Sequence, residues 1–478
     1  MKRLISALLT LVMVLSVLAS ASVSASAEGE EGNLTYINGD GTWSYKVTDA
    51  GAIITKFDST KSNVKIPSTI DDIPVVEIGA KAFYGCESLT SITISNNITT
   101  IGEYAFMACS NLLNITIPEN VTTIADGAFI VGERFTGIYV SENNKSFSSA
   151  VGVLYDKTGT KLICYPSSKL NSKYIIPDYV REIGDNAFAY CQNLTEITIP
   201  DTVLTVGDGA FMHCPKLKNI VIPENISYIG EYAFLDCPSL TTATISGDGA
   251  YISHGMFYDC TNLVDVTINE GVISIGDNAF SGCTSLTSLT IPYGVFDIGF
   301  LAFDGCSSLS KIIIPESVID IGFMAFYGCS RLTEITIPDS IKEIKYRTFQ
   351  NCSNLISITL PNSVKKMAED SFVNCNSLKN VYYTGSESEW NSISVVSNND
   401  DIEFLKNATI QFNYEVPVLK GDTNGDGELS LKNDVIPVLK NIIGNKVLTD
   451  KQIARADMNG DGVLTVTDAL MIGNKIIA

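Results

Sequence analysis

Histidine is nearly absent from this chain of 478 residues, with only His213 and His254 present. A Ser-His-Asp or Cys-His catalytic arrangement has little material to work with. Each histidine reads as a surface or turn residue rather than a catalyst. Basic residues are also scarce: 32 Lys and Arg stand against 53 Asp and Glu, a formal net charge of -21. That balance argues against nucleic acid, whose phosphates need Lys and Arg. The acidity reads as solubility of an exported protein or as calcium affinity. Close cysteine pairs such as Cys-x-x-Cys are missing, which removes the usual zinc spacing. There is neither a phosphate-cradling Gly-Lys-Ser loop nor a dinucleotide fingerprint. Carboxylate pairs remain open, since Asp and Glu are plentiful, but none sits in a recognisable glycosidase context.

Long apolar runs are missing too, apart from one at the start. Lys2 and Arg3 precede the apolar run Leu4 to Leu18, and Ala25-Ser26-Ala27 follows as a small-residue cleavage site. The run is short for a membrane span. It predicts a secretory signal peptide over residues 1–27 and a mature chain from about Glu28. No later segment is apolar enough to cross a bilayer, and the chain closes on Ile476-Ile477-Ala478. The expectation is an exported protein with no membrane span and no anchor of its own.

What the chain has in abundance is a repeat. Phe211, Phe234, Phe257, Phe280, Phe303, Phe326, Phe349 and Phe372 are each 23 residues apart. Phe83, Phe106 and Phe129 share the spacing, and Phe188 opens the longer run. Cysteines follow three residues after these phenylalanines from Cys191 to Cys375, and leucines follow the cysteines at the same interval. A fixed period in the twenties predicts a solenoid, in which each unit buries its apolar face only by stacking on its neighbours. The Ile-x-Ile-Pro segment alternates and is β-branched, so it predicts a short parallel strand. Proline ends that strand because it lacks a donor for the ladder. The Ile-Gly-x-x-Ala-Phe stretch predicts a turn or a second short strand. At about 4.8 Å per coil, about a dozen coils make a rod of roughly 60 Å.

Eleven of the 12 cysteines occupy one repeat position, between a core Phe and a core Leu. Neighbours about 4.8 Å apart and pointing the same way are poorly placed for a bridge, which wants Cβ atoms about 3.8 Å apart. They predict a ladder of small buried thiols. Cys164 stands outside it. A second stripe is Thr93, Thr116, Thr198, Thr244, Thr267, Thr290, Thr336 and Thr359, in the middle of the Ile-Thr-Ile strands. It reads as β-propensity at an exposed site or as a flat hydroxyl surface for a ligand. Val221, Ile313 and Tyr382 interrupt it.

The Ala-Phe-x-x-Cys-x-x-Leu and Ile-Pro signature, from about Val64 to Tyr383, resembles the BspA-like leucine-rich repeats of secreted and surface proteins. The fold class this implies is a mainly β and irregular leucine-rich repeat solenoid with short parallel strands. Residues 28–75 read as an N-terminal cap and 76–383 as the solenoid. An insert is expected over about 130–176, because Phe129 and Phe188 are 59 residues apart. Residues 384–414, with Trp390, read as a C-terminal cap, and 415–420 as a linker.

From residue 421 to 478 the composition changes. Asp422-Thr-Asn424-Gly-Asp426-Gly427 and Asp457-Met-Asn459-Gly-Asp461-Gly462 place oxygens at alternate positions before a glycine, as an EF-hand calcium loop requires. In the second loop the expected Ca2+ ligands are Asp457, Asn459, Asp461, the Val463 carbonyl, Thr465 (directly or through water) and Asp468 at the twelfth position. The first loop offers Asp422, Asn424, Asp426, Glu428 and Ser430. It is closed either by Asp434, with one extra residue in the loop, or by the neutral Asn433 at normal length. The downstream helices superpose with Asp434 on Asp468, since Ile442-Ile443 and Ile476-Ile477 then coincide. Pro437 then falls in the first helical turn, where it is tolerated. The first site is expected to be the weaker.

Two such loops with apolar helices resemble a type I dockerin, a small all-α calcium-binding module that plugs into a cohesin domain of a cellulosomal scaffoldin. The resemblance implies cohesin contacts at Leu431, Lys432 and Lys440 in the first unit and at Val466, Thr467 and Asn474 in the second. The expected function is a secreted non-enzymatic binding protein. Its repeats would present a surface to a protein or glycan, and its dockerin would attach it to a scaffoldin of a fibre-degrading bacterium. The alternatives are a polysaccharide-degrading enzyme or accessory factor, or an inhibitor or adhesin acting on host or rival proteins.

Overall fold

The computed structural model describes residues 34–247, 249–396, 408–416, 420–423, 429, 434–444, 448, 450–459 and 463–477. The expected leader, residues 1–27, lies outside them.

The chain enters through an antiparallel meander, Leu34–Asn38, Gly41–Thr48 and Gly51–Asp58. The last of these strands pairs in parallel with Ile73–Ile78, which starts one ladder of coils. Each coil then carries two short strands. One is the Ile-Thr-Ile segment, such as Thr242–Ile245 paired in register with Asp265–Ile268. The other ends on the Ile of Ile-Gly, such as Ser274–Ile275 paired with Asp297–Ile298. Alternation decides which side chains turn inward: Val266 and Ile268 are buried while Thr267 between them is exposed. The Ala-Phe turn that follows is also bonded from coil to coil, as where the Phe257 N–H donates to the Ala279 carbonyl at 2.9 Å.

Phenylalanine fills the interior because its ring spans the gap between coils. From Phe188 to Phe372 successive ring centroids lie 5.0–5.5 Å apart and nearly parallel. Offset stacking of this kind adds about 0.5–1.5 kcal/mol per pair beyond area burial. At the N-terminal end Trp43 covers Phe57, with centroids 4.3 Å apart, and Phe57 leads into Phe83.

All twelve cysteines are free thiols, eleven of them buried. In most coils the thiol donates to the carbonyl of the Phe one coil earlier, as from Cys283 to Phe257 at 3.2 Å and from Cys375 to Phe349 at 3.1 Å. Cysteine thus fits a small buried slot and also supplies a weak donor to a buried carbonyl.

The segment read as an insert over 130–176 divides differently. Gly137–Val140 pairs with Asn114–Ile117, and Lys173–Ile175 pairs with Glu196–Thr198, both as ordinary coil strands. Tyr165 takes the phenylalanine place, stacking on Phe188 at 5.1 Å, and Cys191 donates to its carbonyl. Ser168 takes the cysteine place and donates to the Gly132 carbonyl at 3.2 Å. Between these coils Phe147–Ala150 and Val153–Asp156 form the added hairpin. One further coil was hidden because its key positions carry Tyr165 and Ser168 instead of Phe and Cys, and the Phe129 coil was cut short because Gly132 stands in its cysteine place.

At the far end Glu387–Trp390 forms a one-turn helix held by a capping box between Ser386 and Glu389. Trp390 packs edge-on against Tyr383 and Phe412, at 5.2 and 6.5 Å, closing the interior. Among the described residues no helix is long and apolar enough to cross a membrane.

Candidate functional site

The C-terminal region has three described helices, Ile436–Ile442, Asp450–Ala456 and Val466–Ile477. Pro437 sits at the start of the first, where its missing N–H costs no helical bond. Val438, Leu448, Ala456, Ala469 and Ile472 are buried together, a small core. Four carboxylates are buried beside it: Asp422, Asp434, Asp457 and Asp468. Burial of so many acids in so little apolar volume calls for a compensating cation or dense hydrogen bonding.

The second loop is held by Asp468. Its Oδ1 accepts from the Met458 N–H at 2.9 Å and the Asn459 N–H at 3.4 Å. Its Oδ2 accepts from the Thr465 N–H at 2.9 Å and the Thr465 hydroxyl at 3.0 Å. Burial raises the Asp468 pKa, but these donors outweigh it and hold the carboxyl below its usual range. The first loop repeats the key bond: Asp434 Oδ1 accepts from the Thr423 N–H at 2.8 Å. Thr423 follows Asp422 as Met458 follows Asp457. Asp434 and Asp468 therefore make the same back-bond across their loops, over 11 residues in the first and 10 in the second. The two halves are clasped where Lys420 Nζ donates to the carbonyls of Ala454 and Asp457, at 3.1 and 2.9 Å.

Asn424, Asp426, Glu428, Ser430, Leu431, Lys432, Asn433 and Asp461 lie outside the described residues, as does the side chain of Lys440. Val466, Thr467 and Asn474 lie exposed on the last helix. Sequence reasoning missed their apolar neighbours Leu470 and Ile477 on that helix, and Ile436, Leu439 and Ile443 on or just after the first, all exposed. The signal was available, because these positions fall outside the face that carries Val438, Ala469 and Ile472.

On the repeats, both histidines sit in turns, His213 with a partner in the next coil and His254 with one in the coil before. His213 Nδ1 lies 2.9 Å from Asp236 Oδ2, with the Tyr190 ring stacked on it at 4.6 Å. His254 Nε2 is hydrogen-bonded to the Tyr232 hydroxyl. The threonine row is aligned where its members pair, Thr244 with Thr267 and Thr336 with Thr359, and Val221, Ile313 and Tyr382 interrupt it in register.

Comparison with known proteins agrees with this division. The model of the BspA type leucine rich repeat region matches residues 56–151, 162–287 and 273–399. The model of the dockerin type I domain matches residues 420–477. Among solved structures the chain is similar to a leucine rich cell surface protein of Faecalibacterium prausnitzii. That match has 26% identity, covers 77% of this chain and 99% of that one, and has a TM-score of 0.48. It is also similar to a leucine-rich repeat protein of Eubacterium ventriosum, with 27% identity, 62% and 95% coverage and a TM-score of 0.48. A leucine-rich repeat protein of Bacteroides ovatus matches with 27% identity, 79% and 99% coverage and a TM-score of 0.43. No curated protein matches the chain. With its Phe-Cys-Leu coils matched over most of its length, and a type I dockerin at its C-terminal end, the chain belongs to the BspA-type leucine-rich repeat family.

Proposed function

We propose that this is a secreted, non-enzymatic binding protein whose dockerin docks, with calcium bound, onto a cohesin domain of a scaffoldin. Its solenoid then presents a surface to a protein or glycan ligand. The observation that carries the docking half is the matched pair of buried aspartates, Asp434 and Asp468, each folded back on the residue after its loop's first aspartate. On this reading Asp434 rather than Asn433 closes the first loop. Asp422, Asn424, Asp426, Glu428 and Ser430 complete that site. Asp457, Asn459, Asp461, the Val463 carbonyl, Thr465 and Asp468 form the second. Bound Ca2+ would supply the positive charge that lets these carboxylates share a small volume. The cohesin would sit on Leu431, Lys432 and Lys440, or on Val466, Thr467 and Asn474, with the exposed Leu470 extending the second face.

Non-enzymatic action is supported by how the family models divide the chain, since repeats and dockerin together take up residues 56–151, 162–399 and 420–477. Secretion is supported by the charged and apolar start of the sequence. The test is capture of the full chain by immobilised scaffoldin cohesins, with calcium and with chelator. Capture only in calcium is expected, and failure of capture in calcium overturns the docking claim. A screen for hydrolysis of plant polysaccharides, expected to be negative, separates this reading from an enzyme of the cellulosome.

A further inference from the structure

The ladder of Thr-Ile strands that starts at the added hairpin stops at two places: between Tyr228–Ile229 and Tyr251–Ile252, and between Asp320–Ile321 and Glu343–Ile344. At the second place Lys345 reaches back across the join to Asp320, at 2.6 Å. At the first place the coils part and leave a cleft of about 180 Å³.

The cause lies in one residue. Where neighbouring coils bury Ile226 and Val272, the intervening coil has Gly249. Ala250 turns inward instead and is 4% exposed, while Leu204 and Ile319 at the same repeat position are 47% and 63% exposed. Gly249, at φ 74°, takes the left-handed backbone this detour needs. The displaced strand loses its ladder. One coil earlier the Ser227 N–H donates to Leu204 at 2.9 Å and the Gly230 N–H to Val206 at 2.8 Å. One coil later the Ile273 N–H donates to Ala250 at 2.9 Å and the Gly276 N–H to Ile252 at 2.7 Å. Among the described residues no such main-chain bond joins Ser227 or Ile229 to Ala250 or Ser253. Here the Ser253 hydroxyl crosses instead, to the Gly230 carbonyl at 2.7 Å, and main-chain bonding between the two coils resumes at Tyr232, whose N–H donates to the His254 carbonyl at 2.8 Å.

The cleft is walled by Tyr228 and Tyr251, one from each side of the join and each 55% exposed. Glu231 and His254 also line it, His254 being bonded to the Tyr232 hydroxyl, and among the described residues no Lys or Arg does. Asp208 stands behind, accepting from the Tyr228 hydroxyl at 3.3 Å. Burial, then Asp208, Glu231 and Asp185, push the Tyr228 phenol up, which reports a negative local field. Aromatic faces beside carboxylates attract a cation with an apolar stem. The volume is below the roughly 300–1,000 Å³ of ordinary small-molecule pockets, so it suits one side chain.

We infer that this cleft receives an arginine or lysine side chain from a basic segment of a partner protein, held between Tyr228 and Tyr251 with its charge on Glu231. This rests on the reading of the solenoid as a ligand surface and names the partner's chemistry.

The test uses the full chain and ligand-observed NMR with acetyl-Gly-Arg-Gly-amide, against the same peptide carrying the neutral isostere citrulline. The arginine peptide is expected to bind about fivefold or more tighter than the citrulline peptide. Tyr228→Ala with Tyr251→Ala, and separately Glu231→Gln, should each weaken it by a similar factor. Tyr228→Phe with Tyr251→Phe should retain it, as should Glu142→Gln in a distant coil. Equal binding of the two peptides, or undiminished binding by the alanine double variant, overturns the inference. So does preferential binding of cellobiose that the same double variant abolishes, which would make this a glycan site. Cohesin capture of each variant in calcium is measured alongside. Its persistence shows that a failed cleft leaves the docking claim standing.

Discussion

Replacing Cys283 with alanine asks whether the cysteine ladder stabilises the coils or merely fills a slot. Cys283 is fully buried between the Phe280 and Leu286 positions, with its thiol 3.2 Å from the Phe257 carbonyl. Alanine keeps Cβ and removes the sulfur. The lost transfer energy resembles that of one methylene, about 0.8 kcal/mol. The void cannot readily collapse, because the coils are fixed on both sides by main-chain bonds, from Phe257 to Ala279 at 2.9 Å and from Phe280 to Ala302 at 2.8 Å. A cavity the size of one sulfur then adds about 0.7 kcal/mol. The weak hydrogen bond adds about 0.5 kcal/mol. The expected loss is about 2 kcal/mol, read as the shift of a urea transition followed by circular dichroism. Serine should cost less than alanine, because Ser168 already occupies this repeat position and donates to Gly132 at 3.2 Å. Each coil contacts only its neighbours, so Cys375→Ala in the last coil of the ladder should cost less than Cys283→Ala in the middle. The reasoning is refuted if Cys283→Ala costs no more than Thr267→Ala on the exposed row, or if serine costs more than alanine.

Other consequences are as direct. Burial, then the charges of Asp236 and Asp304, push the Asp259 carboxyl up to about 6. Its folded pKa lies above the unfolded value of about 3.9, so the folded chain holds the extra proton and stability falls as pH rises from about 4 to about 6. With a discount for partial exposure, Asp259→Asn should stabilise the chain by about 1–2 kcal/mol at pH 7.5 and by almost nothing at pH 4. Equal effects at both pH values in paired urea titrations would contradict this. Titration in denaturant without reductant should find most of the 12 cysteines as free thiols. In the native chain the half-buried Cys86 should react first, and finding few thiols after denaturation would overturn the ladder. Calorimetry on Asp422→Ala and Asp457→Ala should show the second calcium site to be the tighter. Asp434→Ala should abolish the first site and Asn433→Ala should spare it, whereas the reverse result would make Asn433 the closing residue.

Much of this was legible because the interior repeats. A 23-residue period of Phe, Cys and Leu fixes which side chains stack, and stacking fixes the coil. One coil escaped notice because Tyr165 and Ser168 meet the same physical demands as Phe and Cys with different letters. The thiol donors were invisible for another reason: the sequence shows a small residue, while the Phe carbonyl it serves belongs to the coil before. The cleft could not be read either. It follows from Gly249 withdrawing a core side chain and Ala250 moving in to replace it. In the dockerin the loop motif was plain, but the bond from Thr423 to Asp434, on which the proposal for Asp434 over Asn433 rests, is not written in the sequence.

Separation of inside from outside is what makes such a rod useful for recognition. Inward positions are constrained from both neighbouring coils, so they carry nearly the same residues from Phe188 to Phe372. Outward positions answer to solvent and to the main chain and side chains of adjacent coils. After the Ile-Gly turn, Asp185 and Asp208 accept the next coil's N–H at 2.8 and 2.9 Å, which gives an acid there a structural role. Further along, the same position carries Phe300 and Phe323, both exposed, which can make no such bond. One face of the rod therefore passes from acidic to aromatic with no change in the core beneath it. The dockerin has no comparable freedom, because among the described residues four buried aspartates lie beside a small apolar core. Its fold and its expected metal are bound together, while in the repeats the surface can change with the core left as it is.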